Sequence, residues 1–507
     1  MSQNTLPFKF EADKKARGIT ALGGLALYTG LAHIMGLSKS IRDHIRVRQH
    51  TQGWTDAQMI MSLILLNLAG GDCVDDLNLV EADEGFCRIL RRVELHDLSR
   101  RERREQERRW RKEKRRTVPS PTAVFRYLAA FHDEEQEKRR VGGRAYIPAH
   151  NEYLRGLGEV NADMMAFSQR QEKEETATLD MDATLVETMK EEALYSYKGY
   201  KSYQPINVWW AEKEMVLHTE FRDGNVPAGY ENLRILQEAL DHLPWGVKRV
   251  LLRSDNAGYQ HDLLKYCERG KNRRFGRIEF AIGCDVREEF KASALLVEEE
   301  QWHPIYKTRR GKKIKTGQEW ADVGFVPNAI GHSKNSPEYR YIAIREPWEQ
   351  GVLPGMEQEM LFSFPTLSMG DKRYKLFGIV TNREIDGEEL VHWHRQRCGK
   401  SEEAHGVMKH DLAGGKLPSG SFGENAAWWW GMILAFNLNA QMKNLVLQGE
   451  WRSKRMKAIR FAIIHIPAKI INHSRQLIIR LHEKHPCMAL IKTARTRILE
   501  MGCVPVG

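Results

Sequence analysis

The first third of the chain carries its apolar residues at helical spacing. Met59 to Leu68 is an apolar run that stops at Gly70-Gly71, and Val74, Leu77, Leu79 and Val80 continue the pattern past the break. Ser120-Pro121 reads as an N-cap followed by proline at the first helical position, opening a segment whose apolar face is Val124, Tyr127, Leu128 and Phe131. Ile19 to Leu37 has His33 as its one acidic or basic side chain and is interrupted by Gly23, Gly24, Gly30 and Gly36. A long polar lead with Glu11 and Asp13 precedes it, which is unlike a signal peptide. The spacing predicts a buried helical hairpin and no membrane span. Residues 1–150 are thus expected to form a helical domain.

At about residue 175 the period changes. Ala177 to Asp182 alternates and ends in acids. Ile206 to Trp210 and Met215 to Phe221 read as strands around the polar turn Glu212 to Glu214. Tyr230 to Leu243 is an amphipathic helix stopped by Pro244, Arg249 to Arg253 a short buried strand, Gln260 to Glu268 a helix and Ile278 to Ile282 a strand. The order is mixed α/β with three antiparallel-type strands first. Residues 175–284 are expected to form the first part of a core, and 285–370, rich in aromatics and turns, an inserted β-rich subdomain. Residues 371–447 return to the core through the strand Tyr374 to Thr381, helices over Glu388 to Arg397 and Ser401 to Met408, and an apolar helix over Ala426 to Leu447. Residues 448–507 read as a basic helical region; between 451 and 499 it has twelve Lys/Arg and one acid, Glu483.

Composition sharpens this. A chain of 507 residues suggests two to four domains, and 42% apolar residues suffice for a large core. The net charge of +11 calls for a polyanionic partner. Arg100 to Arg116 holds eleven basic and four acidic residues, an excess that internal pairing does not absorb, so a phosphate-tracking arm stands beside the plainer reading of a solvated helix. The seven cysteines include no C-x-x-C pair, which argues against a zinc ribbon or a disulfide framework and fits a reducing cytoplasm. His392 and His394 lack further ligands for zinc. Gly414-Gly415-Lys416 lacks the spacing of a phosphate loop. Trp428-Trp429-Trp430 is expected in a core helix rather than stacked on bases.

Two-metal phosphodiester chemistry requires hard oxygen ligands on a rigid frame, aimed at one point. Asp180 and Asp182 end the first strand on one face, and Asp255 directly follows the strand Arg249 to Arg253. Each could equally be a turn or cap residue. Glu402, His405 and Lys409 share one helical stripe near Arg395 and Arg397.

Leu179-Asp180-Met181-Asp182-Ala183-Thr184, Arg253-Ser254-Asp255-Asn256-Ala257-Gly258-Tyr259 and Arg397-Cys398-Gly399-Lys400-Ser401-Glu402-Glu403 with Lys409, in that order, make the chain resemble a bacterial insertion-sequence DDE transposase. Asp75-Asp76 and Pro119 to Thr122 extend the resemblance into the amino-terminal region, which it implies to be a DNA-binding or dimerisation domain over residues 1–150. The resemblance implies a ribonuclease-H-like mixed sheet with an inserted β-rich subdomain, flanked by helical terminal regions. It also implies Asp182, Asp255 and Glu402 as catalytic metal ligands. The family's small residue and Thr after the first acid select Asp182 over Asp180, and its Lys seven residues beyond the third acid, here Lys409, selects Glu402 over Glu403. The signature's Tyr falls near Trp393 or His394, and Arg397 stands five residues before Glu402 where the signature has four.

The implied cofactor is Mg2+, with Mn2+ as the alternative. The implied partners are double-stranded DNA with terminal inverted repeats and target DNA, held by a homodimer in a paired-end complex in the bacterial cytoplasm, with no membrane. One strand would be hydrolysed at the element end and its 3′ hydroxyl joined to target DNA. Arg397, Lys409, Arg253, Lys312, Lys313, Arg104, Arg108 and Arg111 are the expected DNA contacts. The competing expectations are a nuclease of the same fold that does not join strands and a catalytically inactive DNA-binding regulator.

Overall fold

The computed structural model describes residues 11, 17–48, 53–96, 98–105, 116–309, 311–327, 338–348, 364–474 and 476–502. Helix α1 (Leu25–Met35) ends at Gly36, whose φ of 77° turns the chain into a second short helix, Leu37–His44. The apolar run Ile19 to Leu37 is thus not itself a helical hairpin: it holds the short strand Ile19–Thr20 and the single buried helix α1, because the glycine that turns the chain stands at its end. Helix α2 (Asp56–Ala69) starts at a capping box in which Thr55 and Gln58 satisfy each other's backbone N–H, and it ends at Gly70 with φ 98°. Helix α3 (Glu152–Gln171) is capped by Asn151, which accepts from the Leu154 N–H at 3.0 Å. Among the described residues no single helix is long and apolar enough to cross a membrane; Asp56–Ala69 and Val74–Ala82 approach that test only as a pair bent by 94°.

The central sheet has ten strands: β1 (Thr176–Ala183), β2 (Ile206–Trp210), β3 (Met215–Glu220), β4 (Arg249–Ser254), β5 (Glu279–Cys284), β6 (His303–Arg309), β7 (Lys312–Val323), β8 (Arg340–Pro347), β9 (Thr366–Met369) and β10 (Lys372–Thr381). Their order is β3-β2-β1-β4-β5-β10-β8-β7-β6, with β9 also on β10. β1, β4 and β5 run parallel and every other pair is antiparallel. Ala177, Leu179 and Met181 share one core with Val250 and Leu252 of β4, and Thr178, Asp180 and Asp182 face the other way.

The strands of the 285–370 stretch do not pack as a separate layer. β10 pairs with β5 through Gly378↔Cys284 to Thr381↔Ala281, so β6 to β9 continue the same sheet. A strand edge left open at β5 is a pairing template, and β10 closes it.

Helices α4 (Gly387–Arg395) and α5 (Lys400–Gly406) follow the sheet. Helix α6 (Phe422–Gln441) then runs through the middle of the molecule. It is apolar on all sides because it is covered on all sides: Trp429 Nε1 donates to Thr219 on β3, Asn437 bonds Val216 of β3, and Tyr28 of α1 donates to Asn439. Trp428, Trp429 and Trp430 are buried in this core.

The basic carboxy-terminal region is not helical throughout. Ala468–His473 and Gln476–Leu481 form a hairpin with Ile19–Thr20 on its edge, and a last helix, α7 (Met488–Gly502), packs on α1. Ile470, Ile471, Ile478 and Ile479 pair across that hairpin, where β-branched side chains pack well.

Candidate active site

The sheet register puts the first two acids together. Met181 stands opposite Ser254 in the parallel pair β1–β4, and Ser254 Oγ donates to Met181 O at 3.1 Å, so Asp182, one residue before the end of β1, and Asp255, the first residue past β4, stand side by side. Asp255 also caps the turn Asn256–Gly258, accepting from the Ala257 N–H at 3.0 Å. Gly283 of β5 makes room for that turn, since a Cβ there would lie 2.9 Å from Asn256 N. The cap and the site role are compatible: the turn holds the Asp255 carboxylate where the strand ends.

Two helices close over this strand end. His394 of α4 is buried, with Nε2 2.9 Å from Ser254 O, and burial together with the charge of Arg397 holds its imidazole down to about 3. From α5, His405 Nδ1 lies 3.9 Å from Asp182 Oδ2, and its Nε2 lies 3.3 Å from Asn207 Nδ2. Burial holds His405 down to about 4, with Lys409 adding to the effect. Asn207 is the cross-strand partner of Asp182 on β2 and also accepts from Thr219 Oγ1 at 2.7 Å.

Glu402 is exposed at the start of α5, and its carboxylate accepts from the Gly399 N–H at 2.5 Å, folded back on its own helix end. Burial, then the charge of Asp255 and more weakly that of Glu402, push the Asp182 carboxyl up to about 7 against the pull of Arg397. The neighbouring Glu403 instead acts on Lys443, on the other flank of the helix. Lys409, in the π-turn Val407–Asp411 that continues α5, donates to Leu185 O at 3.2 Å, just beyond the end of β1.

As the side chains stand, no group of three or more His, Cys, Asp or Glu among the described residues is arranged to hold a metal ion. The donor chemistry nevertheless fits a hard divalent cation: two carboxylates stand at one strand end, and one of them is forced toward its neutral form by burial and like charge.

The other expected contacts fall elsewhere. Lys312 and Lys313 are exposed at the turn between β6 and β7, on the far edge of the sheet from β3. Arg104 is exposed in the helical stretch 100–105, and Arg108 and Arg111 lie outside the described residues.

Arg253 is a correction. It is 2% exposed and its guanidinium is taken up inside the protein: Nε and Nη2 donate to Asp180 at 2.6 and 2.8 Å, and Nη1 donates to Trp393 O at 2.8 Å and Gln396 Oε1 at 3.2 Å. It is not free to meet DNA. Its role is to tie the C-terminal end of α4 to β1 beneath the acids. Asn207 gave no recognisable signal in the chain, because its role comes from a strand register; His394 drew notice only as a zinc candidate and beside the signature's Tyr, and its contact with Ser254 comes from helix docking.

A family model described as "Transposase DDE domain group 1" matches residues 7–503. No curated protein matches. Among solved structures, the chain is similar to the piggyBac transposase of a cryo-EM synaptic complex with hairpin DNA, at 10% identity over 97% of this chain and 85% of that one, with a TM-score of 0.36.

Proposed function

The chain belongs to the DDE transposase family, and from that premise we propose that it cuts DNA at the ends of a mobile element and joins the 3′ ends to target DNA, with Asp182, Asp255 and Glu402 as its catalytic acids. The observation that carries this reading is the juxtaposition of Asp182 and Asp255 at neighbouring parallel strand ends, under the helix that bears Glu402. When bound by these three carboxylates, Mg2+ or Mn2+ would supply Lewis-acid stabilisation of the scissile phosphate.

The residues of the chain divide the remaining work. Asp182 and Asp255 provide fixed oxygen ligands, because a strand and a capped turn hold them. Glu402 would complete the set by leaving the Gly399 N–H from which it accepts. His405 stays neutral and packs the Asp182 side of the site, so it brings no competing positive charge to the carboxylate. Arg397, whose buried Nε makes no hydrogen bond, and Lys409 would meet backbone phosphates. Exposed Lys312, Lys313 and Arg104 would add contacts along the duplex. The partners of this reading are DNA with terminal inverted repeats and target DNA, engaged by a homodimer in the cytoplasm.

The test uses Asp182→Ala and Asp255→Ala in Mg2+-dependent nicking of element-end DNA, with binding measured in parallel. Loss of nicking with binding retained is expected; activity kept by both variants would overturn the assignment. Pre-cleaved ends incubated with a target plasmid should yield joined product. Cleavage without joining would make the chain a nuclease of the same fold.

A further inference from the structure

On the flank of α5 opposite Asp182 lies a cleft of about 240 Å³, closed by the end of α6 and the segment Arg452 to Met456. Its cations are Lys400, Lys443, Arg452, Lys454 and Arg455, and its acids are Glu214 and Glu403. Lys443 is the unusual member. It is half-buried, and no hydrogen bond or ion pair within 4 Å engages its ammonium among the described residues. Burial lowers its pKa, and the charges of Glu214 and Glu403 only partly oppose this. A desolvated ammonium without a close partner is a standing cost that an anion in the cleft would remove.

The other four cations are held loosely. Lys400 meets Glu214 at 3.9 Å, Arg452 meets Glu172 at 3.4 Å and Lys454 meets Glu450 at 3.7 Å. Pairs this long, between partners open to solvent, contribute little and exchange readily. Arg455 lies 3.7 Å from the buried Asp411, which Lys457 also reaches at 3.5 Å, so Arg455 can turn away without leaving that carboxylate alone.

We infer that this cleft is a binding site for a DNA backbone phosphate, held by Lys443 with Arg452, Lys454 and Arg455 on the opposite side of α5 from the catalytic acids. The inference rests on DNA being the substrate. Adjacent residues of one helix separate the two places: Glu402 acts on Asp182, and Glu403 acts on Lys443. A helix with its side chains is about 10–12 Å across. At about 3.4 Å of rise per nucleotide, a strand passing the acids would present a phosphate to the cleft about three nucleotides away.

The experiment measures binding of the full chain to an element-end duplex over a range of salt concentrations, for the wild type, Lys443→Met, the rim variant Arg452→Gln/Lys454→Gln, and Asp182→Ala. Met keeps the buried volume of Lys443, and the rim variant changes only surface side chains, so a fold defect in one is checked by the other. Each lost phosphate contact should lower the slope of log K against log salt by about 0.9. A wild-type duplex with a single methylphosphonate three linkages from the cut should show the same reduction, and Lys443→Met should be indifferent to that replacement. Competition by inorganic phosphate at millimolar level with no response to the methylphosphonate would mark a free-anion site and overturn the inference. Unchanged slopes in both cleft variants would also overturn it. Asp182→Ala separates the two readings: it should keep the wild-type slope and lose nicking. If it keeps nicking, the assignment of the acids fails while the cleft result stands.

Discussion

Asp180 and Arg253 are register partners across the parallel pair β1–β4 and are joined by two hydrogen bonds of 2.6 and 2.8 Å, each two residues before Asp182 or Asp255 along the chain. The same guanidinium reaches Trp393 O and lies 5.2 Å from the centre of the Trp393 ring. Removing one partner leaves a buried charge unmatched, which costs about 3–5 kcal/mol. Asp180→Ala should therefore lower unfolding free energy in urea by about that amount, and Asp180→Leu/Arg253→Met should recover most of it. A loss for Asp180→Ala no larger than that of an exposed ion pair would show the pair to be hydrated.

His394 ties stability to pH. Unfolded, it takes a proton near pH 6.5; folded, it does so only near 3. Its contribution is complete above pH 6.5 and is lost as the pH falls through that range, by up to about 3 kcal/mol at pH 4. His405, held down to about 4, acts in the same window. His394→Gln should reduce the slope of stability against pH between 6.5 and 4 without abolishing it. An unchanged slope would mean that His394 is protonated in the fold.

The two neighbouring glutamates should separate sharply. Glu402→Gln is expected to lower Mg2+-dependent nicking by roughly a hundredfold or more, and Glu403→Gln to leave it within roughly threefold. Thermal unfolding with and without Mg2+ supplies a second readout. The ion should raise the wild-type midpoint, because it relieves the repulsion that holds the Asp182 carboxyl up to about 7, and should have little effect on Asp182→Asn. Equal losses in the two glutamate variants would remove the preference for Glu402.

Gly387 joins the strands of the inserted stretch to the active-site helices. A Cβ at this position would lie 2.2 Å from the Trp320 ring of β7. Gly387→Ala should cost about 1–3 kcal/mol through overpacking. Trp320→Leu in the same chain should restore part of it, as read by paired denaturation curves. Additive losses would show that the two residues do not share this contact.

Most element types were legible along the chain because period and punctuation are local. Ile206–Trp210 forms a strand over the same residues its pattern predicts, and α2 stops where Gly70 supplies a left-handed residue. The acids were narrowed by motif order and by the residues beside them. The same local reading placed Arg253 with the DNA contacts, since a basic residue two positions before Asp255 looks like one until its partner, 73 residues away on β1, is known.

The amino-acid sequence by itself determined the helical beginning, the mixed α/β order, the basic excess and the ordered acids, all of which depend on residue type and short spacing. Tertiary structure alone decided the rest. It placed Asp182 beside Asp255, buried Arg253 against Asp180, set Glu403 in the cleft that Lys443 lines, and ran the inserted strands into the central sheet through β10. It also paired Ile19–Thr20 with Ala468–His473, from opposite ends of the chain. Strand register and burial are set by contacts between distant segments, and no local pattern specifies which of several compatible partners a strand or a charge will meet.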